Sequence, residues 1–384
     1  MRLQAGRYFS AAVLTASLFA CSGGCGSSVT PAQPVATATS NSAGAASPST
    51  PSSATDFQRV ATALSLSQRS DGAIPYTATN VNPYFANIAA TGAARTGADL
   101  TSVRAWIAWY VARSRDPNPW GIAGAITDYT ILPNAALQST GSADSVDAYA
   151  ATFLTLVATA YQFGDAGLRS YVQGLRSDVE RIASAIDAVT DVDGLTWALP
   201  TYHTKYVMDA SEVYAGLNDL ATLRSSAYGD IAGSLAASQR AATLRAAIVA
   251  TFWSDARGTF AVGMDANGVQ TLPDPGAWPD AMSQLAPILH GVISPSSAVA
   301  TGIYGRFNAA FPNWTSLSKP DQYPWVSVAF VALQMNDALR ASAYRSAGDA
   351  AFTPQFAYPW YCAESGWYLR VVNGIIAPQT VAAD

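Results

Sequence analysis

Charge is scarce in this chain. Asp, Glu, Lys and Arg together make up 12% of its 384 residues, and the net charge is −5. No cluster of Lys and Arg is present to meet phosphates, which argues against nucleic acid as a partner. Only three cysteines occur, Cys21, Cys25 and Cys362, and only two histidines, His203 and His290. None of them has the spacing of a zinc ligand set. The expectation is no metal and no cofactor, with only a Ca²⁺ held by backbone and carboxylate oxygens left open and no EF-hand loop to hold it. Both histidines read as structural. What is abundant is aromatic: Phe, Trp and Tyr reach 11%, ten of them Trp. Such a composition suits a tightly packed core, or a groove that stacks against flat neutral faces such as sugar rings.

Arg2 and Arg7 precede the apolar stretch 11–20, which is too short for a spanning helix and reads, over residues 1–20, as a secretory signal. Leu18-Phe19-Ala20-Cys21 resembles a bacterial lipobox, with Cys21 as the lipid-bearing first residue of the mature protein. Secretion with cleavage nearby is the alternative. Ser22 stands where an Asp would signal inner-membrane retention, so the resemblance points to the outer membrane where the cell has one. Residues 21–55 are mostly Ser, Ala, Thr, Pro and Gly, with no charge and hardly any large apolar side chain. They hold too little apolar surface to offset their ordering entropy, and a disordered tether is expected.

At Asp56 the composition changes, and Phe57, Val60 and Leu64 open a helix-spaced pattern. From there to residue 384 one domain is expected. Helical stretches alternate between aromatic, small-residue segments and more polar partners such as 168–189. Aromatic-proline turns, for example Trp278-Pro279, Tyr323-Pro324-Trp325 and Tyr358-Pro359-Trp360, precede the former. The rhythm predicts about a dozen helices in successive hairpins. Residues 125–131 have strand composition and predict a short edge hairpin.

Two segments share the pattern D-x-x-[D/E]-x-Y-A. They are Asp144-Ser145-Val146-Asp147-Ala148-Tyr149-Ala150 and Asp209-Ala210-Ser211-Glu212-Val213-Tyr214-Ala215. The spacing is that of a capping box, which makes Asp144 and Asp209 N-caps. Two copies, each with an aromatic, in a chain poor in charge also fit a shared carboxylate-lined mouth.

With its hairpin rhythm, its acid motif before a long helix and its Tyr/Trp-Pro openings, the chain resembles the six-hairpin (α/α)6 glycosidase superfamily over most of Asp56 to Val381. The resemblance implies an all-α toroid of helical hairpins with short β elements at the mouth. It also implies carboxylates at the mouths of the inner helices and aromatic sugar subsites.

Glycoside hydrolysis needs one carboxylic acid to protonate the leaving oxygen and a second carboxylate to activate water or attack directly. The acids expected near the mouth are Asp71, Asp128, Asp144, Asp147, Asp209, Glu212, Asp280 and Glu364. Caps stay ionised at a helix N-terminus, so Asp144 and Asp209 make poorer acids. Glu212 is expected as general acid and Asp147 as base, with inversion, though the two roles can exchange; Glu364 is the reserve. Tyr84, Tyr149, Trp197, Tyr202, Trp278, Trp325 and Trp367 are candidate stacking platforms. Lys205 either meets an anionic sugar or pairs with Asp209. Two alternatives stay open: a polysaccharide lyase using His203 or His290 with Tyr202 or Tyr206, and a non-catalytic glycan-binding lipoprotein. The expected partners are a carbohydrate and, through Cys21, a membrane; the chain is expected to be a monomer.

Overall fold

The computed structural model describes residues 53–353 and 355–376, so the expected signal, Cys21 and the tether lie outside the described residues. Within them, helices form wherever apolar residues recur at helical spacing, and along the chain they follow one another as six outer-to-inner hairpin units. The first joins α1 (Ser53–Ser67) to α2 (Pro83–Thr96), and the second joins α3 (Leu100–Arg113) to α4 (Val146–Phe163). In the third, α5 (Ala166–Gln173) and α6 (Arg176–Ala188) precede α7 (Val207–Thr222). The fourth joins α8 (Ile231–Phe252) to α9 (Trp278–Leu289), and the fifth α10 (Ala298–Ala310) to α11 (Ser327–Gln334). The sixth joins α12 (Ala338–Ala351) to α13 (Cys362–Ile376).

The second helices of the hairpins form an inner ring. α2 packs on α4, α4 on α7, α7 on α9, α9 on α11, α11 on α13, and α13 returns to α2. This is an (α/α)6 toroid. Small residues make the close approaches possible. A Cβ on Gly92 of α2 would come within 2.1 Å of the Gly366 carbonyl oxygen of α13, and one on Gly366 within 2.3 Å of the Ile88 carbonyl oxygen. On the other flank Gly216 of α7 lies against Ala151 of α4 in the same manner. Every residue of α11 is buried, as is nearly all of α4 from Val146 to Ala160. Outer helices contribute one apolar stripe each. Tyr110 of α3 stacks on Phe153 of α4 at 4.1 Å, and each such ring contributes about 1.5–3 kcal/mol by leaving water.

Three details differ from the periodicity reading. α1 begins at Ser53 and not at Asp56, and Gly174-Leu175 divide the stretch 168–189 into α5 and α6. The apolar run 326–339 predicts one helix, but α11 stops at Gln334, because Asn336 turns the chain at φ +58°.

Strands collect where inner helices begin. β1 (Asn80–Val81) ends just before α2 and pairs with β2 (Tyr129–Ile131), Asn80 opposite Thr130. β2 forms the expected edge hairpin with β3 (Leu137–Ser139). β4 (Thr204–Tyr206) runs directly into α7 and pairs with β7 (Gly263–Asp265), which pairs with β8 (Gln270–Thr271). β5 (Trp253–Ser254) and β6 (Thr259–Phe260) form a separate ribbon after α8.

Candidate active site

Both acid motifs sit where inner helices start, but in a register that sequence spacing does not reveal. α4 has Ser145 at its N-cap and α7 has Tyr206, neither with a side-chain cap bond. Asp144 and Asp209 are therefore not caps, and the capping-box reading fails for both. The reason lies upstream. The Val146 N–H is taken by the Ala198 carbonyl and the Val207 N–H by the Val262 carbonyl, so strand and turn backbone do the work a cap would do. Asp147 falls in the first turn of α4, while Asp209 and Glu212 share one face of α7 three residues apart.

The two motifs meet in one cluster. Glu212, 6% exposed, accepts a 2.5 Å hydrogen bond on Oε1 from the hydroxyl of Tyr84 on α2. His290, at the end of α9, brings Nε2 to 3.9 Å from the same oxygen. Burial, with the Asp147 and Asp144 carboxylates adding to it, pushes the Glu212 carboxyl up to about 8. Asp209 is raised well above the usual range by burial and then by Asp147, Glu212 and Asp144. Asp144 is open to solvent, yet protein surrounds its carboxyl closely enough that desolvation raises it. The two observations agree for a group facing into a concavity.

Asp147 is different. It is fully buried, accepting from Thr196 Oγ1 at 2.5 Å and from the Ala148 N–H at 2.9 Å, and desolvation pushes it up to about 7. Across the cluster Asp128 accepts from the Tyr149 hydroxyl at 2.9 Å, and Asn82 donates to that hydroxyl at 2.8 Å. Burial pushes Asp128 up to about 7. Among the described residues no Lys or Arg forms an ion pair with Asp128, Asp144, Asp147, Asp209 or Glu212. Below Glu212 a cavity of about 30 Å³ is lined by Thr91, Thr152, Thr155, His290 and Arg370, room for one or two waters.

The other candidates disperse. Glu364 is buried beside the start of α11, where it accepts from the Trp325 and Val326 N–H groups at 3.1 and 2.8 Å; burial pushes it up to about 7. Asp71 pairs with Arg69 on a loop, and Asp280 accepts from the Asp274 N–H, outside the cluster. Lys205 does not pair with Asp209. It is 2% exposed and contacts Asp191 and Asp193 at 2.6 Å each, because strand alternation on β4 turns it toward the 191–196 turn. It also lies 4.1 Å over the Trp197 ring, whose other stacking neighbour is His203. Trp278 and Trp367 are buried in the core, so neither ring offers an open platform. Trp325 is partly exposed and bonded to Asp321. Tyr202 is exposed, its hydroxyl 3.1 Å from that of Tyr206.

Aromatic residues do link the cluster to the surface, although Tyr149 itself is 2% exposed and, like Trp278, offers no open platform. Ring contacts run without a break from Tyr149 through Tyr84, Phe85, Tyr361 and Tyr323 to the exposed Tyr358. Asn82 and Thr196 are polar partners that spacing did not single out, and His290, read as structural with proton transfer in a lyase as its alternative, stands beside Glu212; each is far in sequence from the acid or hydroxyl it faces.

No protein-family model matches this chain, and no curated protein matches its sequence. Solved structures do match. A glycosidase variant in complex with glucose is 15% identical, with a TM-score of 0.58 over 84% of this chain and 96% of that one. A rhamnosidase from Klebsiella oxytoca with rhamnose bound is 13% identical, with a TM-score of 0.57 over 85% of this chain and 64% of that one. An uncharacterized conserved protein from Thermus thermophilus is 10% identical, with a TM-score of 0.56 over 83% and 98%. The chain has a six-hairpin glycosidase-like fold. At such identities the likeness speaks for the fold, and the chemistry rests on the cluster itself.

Proposed function

We propose that this protein is a glycoside hydrolase whose general acid is Glu212. The observation that carries the reading is the meeting of Asp144, Asp209 and Glu212 with the Tyr84 hydroxyl at one concave end of the ring. A carboxyl raised to about 8 holds its proton at neutral pH and can deliver it to a leaving oxygen. Asp144 is the second carboxylate, since it is open to solvent and can address water or an anomeric carbon. Asp147 gives up the base role expected of it, because its oxygens are turned to Thr196 and the α4 backbone, and it supports the cluster from behind. The aromatic chain ending at Tyr358 offers rings for sugars. The names of the matched glycosidase and rhamnosidase are consistent with a sugar substrate. The domain acts as a monomer, held at the cell envelope by a lipid on Cys21 and the 21–55 tether.

The test is release of reducing sugar from a panel of aryl glycosides and oligosaccharides by the intact protein, Glu212→Gln and Asp144→Asn. Turnover lost in both variants with unchanged circular dichroism supports the reading. Equal turnover in all three rejects it, and a product absorbing in the near ultraviolet would identify a lyase. Release of Cys21→Ser from the membrane fraction tests the anchor.

A further inference from the structure

A second concavity lies between α9 and α10, bounded by the β5–β6 turn and the loop after β8. Its volume is about 300 Å³, the lower end of the range that small-molecule sites occupy. None of the clustered acids lines it. Its walls are apolar, with Ile303 and Phe307 of α10, then Phe311, and Leu272 from the loop. At the rim stand two guanidinium groups, Arg257 and Arg306, both exposed and neither paired with a carboxylate among the described residues. Arg306 is held in place by donating to the Gly258 carbonyl. Gly258 turns the ribbon at φ +63°, and a Cβ there would stand 3.0–3.2 Å from the Arg306 guanidinium, so the arginine lies flat over the glycine.

The two carboxylates in the lining form no ion pair with these arginines among the described residues. Asp274 Oδ1 accepts from the Gly276 N–H at 2.9 Å, and Asp280 Oδ2 accepts from the Asp274 N–H at 2.8 Å. Both are engaged in fixing the 274–280 loop. An apolar hollow rimmed by two unpaired guanidiniums is complementary to a molecule with an apolar body and one anionic head.

We propose that this pocket binds an amphiphilic monoanion, an alkyl or aryl carboxylate of medium length, with its head on Arg257 and Arg306 and its body against Phe307 and Phe311. The lining includes Leu272, the residue after β8, and β8 reaches α7 through β7 and β4, so a bound ligand would rest against the loop that leaves the sheet feeding the acid helix. The proposal does not depend on the hydrolase reading.

Anilinonaphthalene sulfonate, which has this chemistry, is the probe for a fluorescence titration of the full chain. The expected result is one saturable site, displaced by decanoate but not by acetate or decanol. Affinity should fall about tenfold or more in Arg257→Gln/Arg306→Gln, since both charge-assisted bonds to the head are lost. Ala310→Trp, which fills the hollow from an exposed position and leaves both arginines, should also abolish binding. Absence of saturable binding overturns the proposal. So does unchanged affinity in both variants, or displacement by decanol as effective as by decanoate. Decanoate-sensitive co-sedimentation with phosphatidylglycerol vesicles, without binding of free decanoate, would replace a soluble ligand by a lipid surface and equally overturn it.

Discussion

The hydroxyl of Tyr84 donates to Glu212 Oε1 at 2.5 Å, across 128 residues of chain and from one inner helix to another. A donor to the carboxylate favours its ionised form, so this bond opposes the burial that keeps Glu212 protonated. The acid is poised between the two.

Tyr84→Phe removes the opposing bond and should raise the Glu212 carboxyl further. A general acid loses activity as pH rises through its pKa, so the alkaline limb of the pH–rate profile should move to higher pH. Turnover at neutral pH should fall by less than in Glu212→Gln. A limb that moves toward lower pH would show that Tyr84 acts some other way.

Asp144 and Asp147 separate on substitution. Asp144→Asn should cost roughly a hundred- to ten-thousand-fold in turnover, the usual contribution of a positioned acid or base. Asp147→Asn keeps an oxygen for Thr196 and should lose far less. The reverse order, measured on folded proteins, would return the base role to Asp147.

Stability should be greatest in mild acid. Asp128, Asp147 and Glu364 are held at about 7 and Glu212 at about 8, all through burial. The unfolded chain titrates these groups near 4. Between those limits the folded state binds more protons than the unfolded one. The stability they contribute is full below about pH 4 and is lost as pH rises through 7 and 8. Asp178 works in the opposite sense: despite desolvation, Arg115 and Arg181 lower its carboxyl, and its contribution disappears in strong acid. The thermal midpoint should therefore be higher near pH 5 than near pH 8, with a smaller difference in Glu212→Gln. A midpoint that climbs over the same interval contradicts this account.

Gly92→Ala places a methyl group 2.1 Å from the Gly366 carbonyl oxygen, where backbone and not a movable side chain is in the way. The expected cost is about 1–3 kcal/mol in urea unfolding, typical of overpacking. Gly305→Ala, with open space around its Cβ position, is the control and should cost little. Equal midpoints for the two variants would mean that the ring flexes at its seam.

The face of the second acid pair was legible before the register. Asp209 and Glu212 stand three apart and share a face of α7 whichever residue opens it, whereas Asp144 precedes α4 and is exposed while Asp147 is buried, so only the second pair could be anticipated. The capping assignment could not, because the carbonyls that serve in its place come from Ala198 and Val262, outside either motif. The hairpin alternation was readable for the same reason: inner helices need small apolar residues all round and outer ones need a single stripe. Lys205 pointed away from Asp209 because β4 is a strand, and three residues of strand carry too little pattern to be recognised. His290 was noticed as one of two histidines, but it lies at the end of an apolar helix 78 residues from Glu212, and nothing local marks their meeting.

The seam between Gly92 and Gly366 joins the first inner helix to the final one. All five clustered acids and Tyr84 precede residue 213, but Tyr361, which continues the aromatic approach, enters with the sixth hairpin. A nascent chain would thus carry its whole set of reactive groups long before it owns a cavity to put them in. Docking of α13 on α2 is the contact that closes the ring to which the acidic helix starts belong.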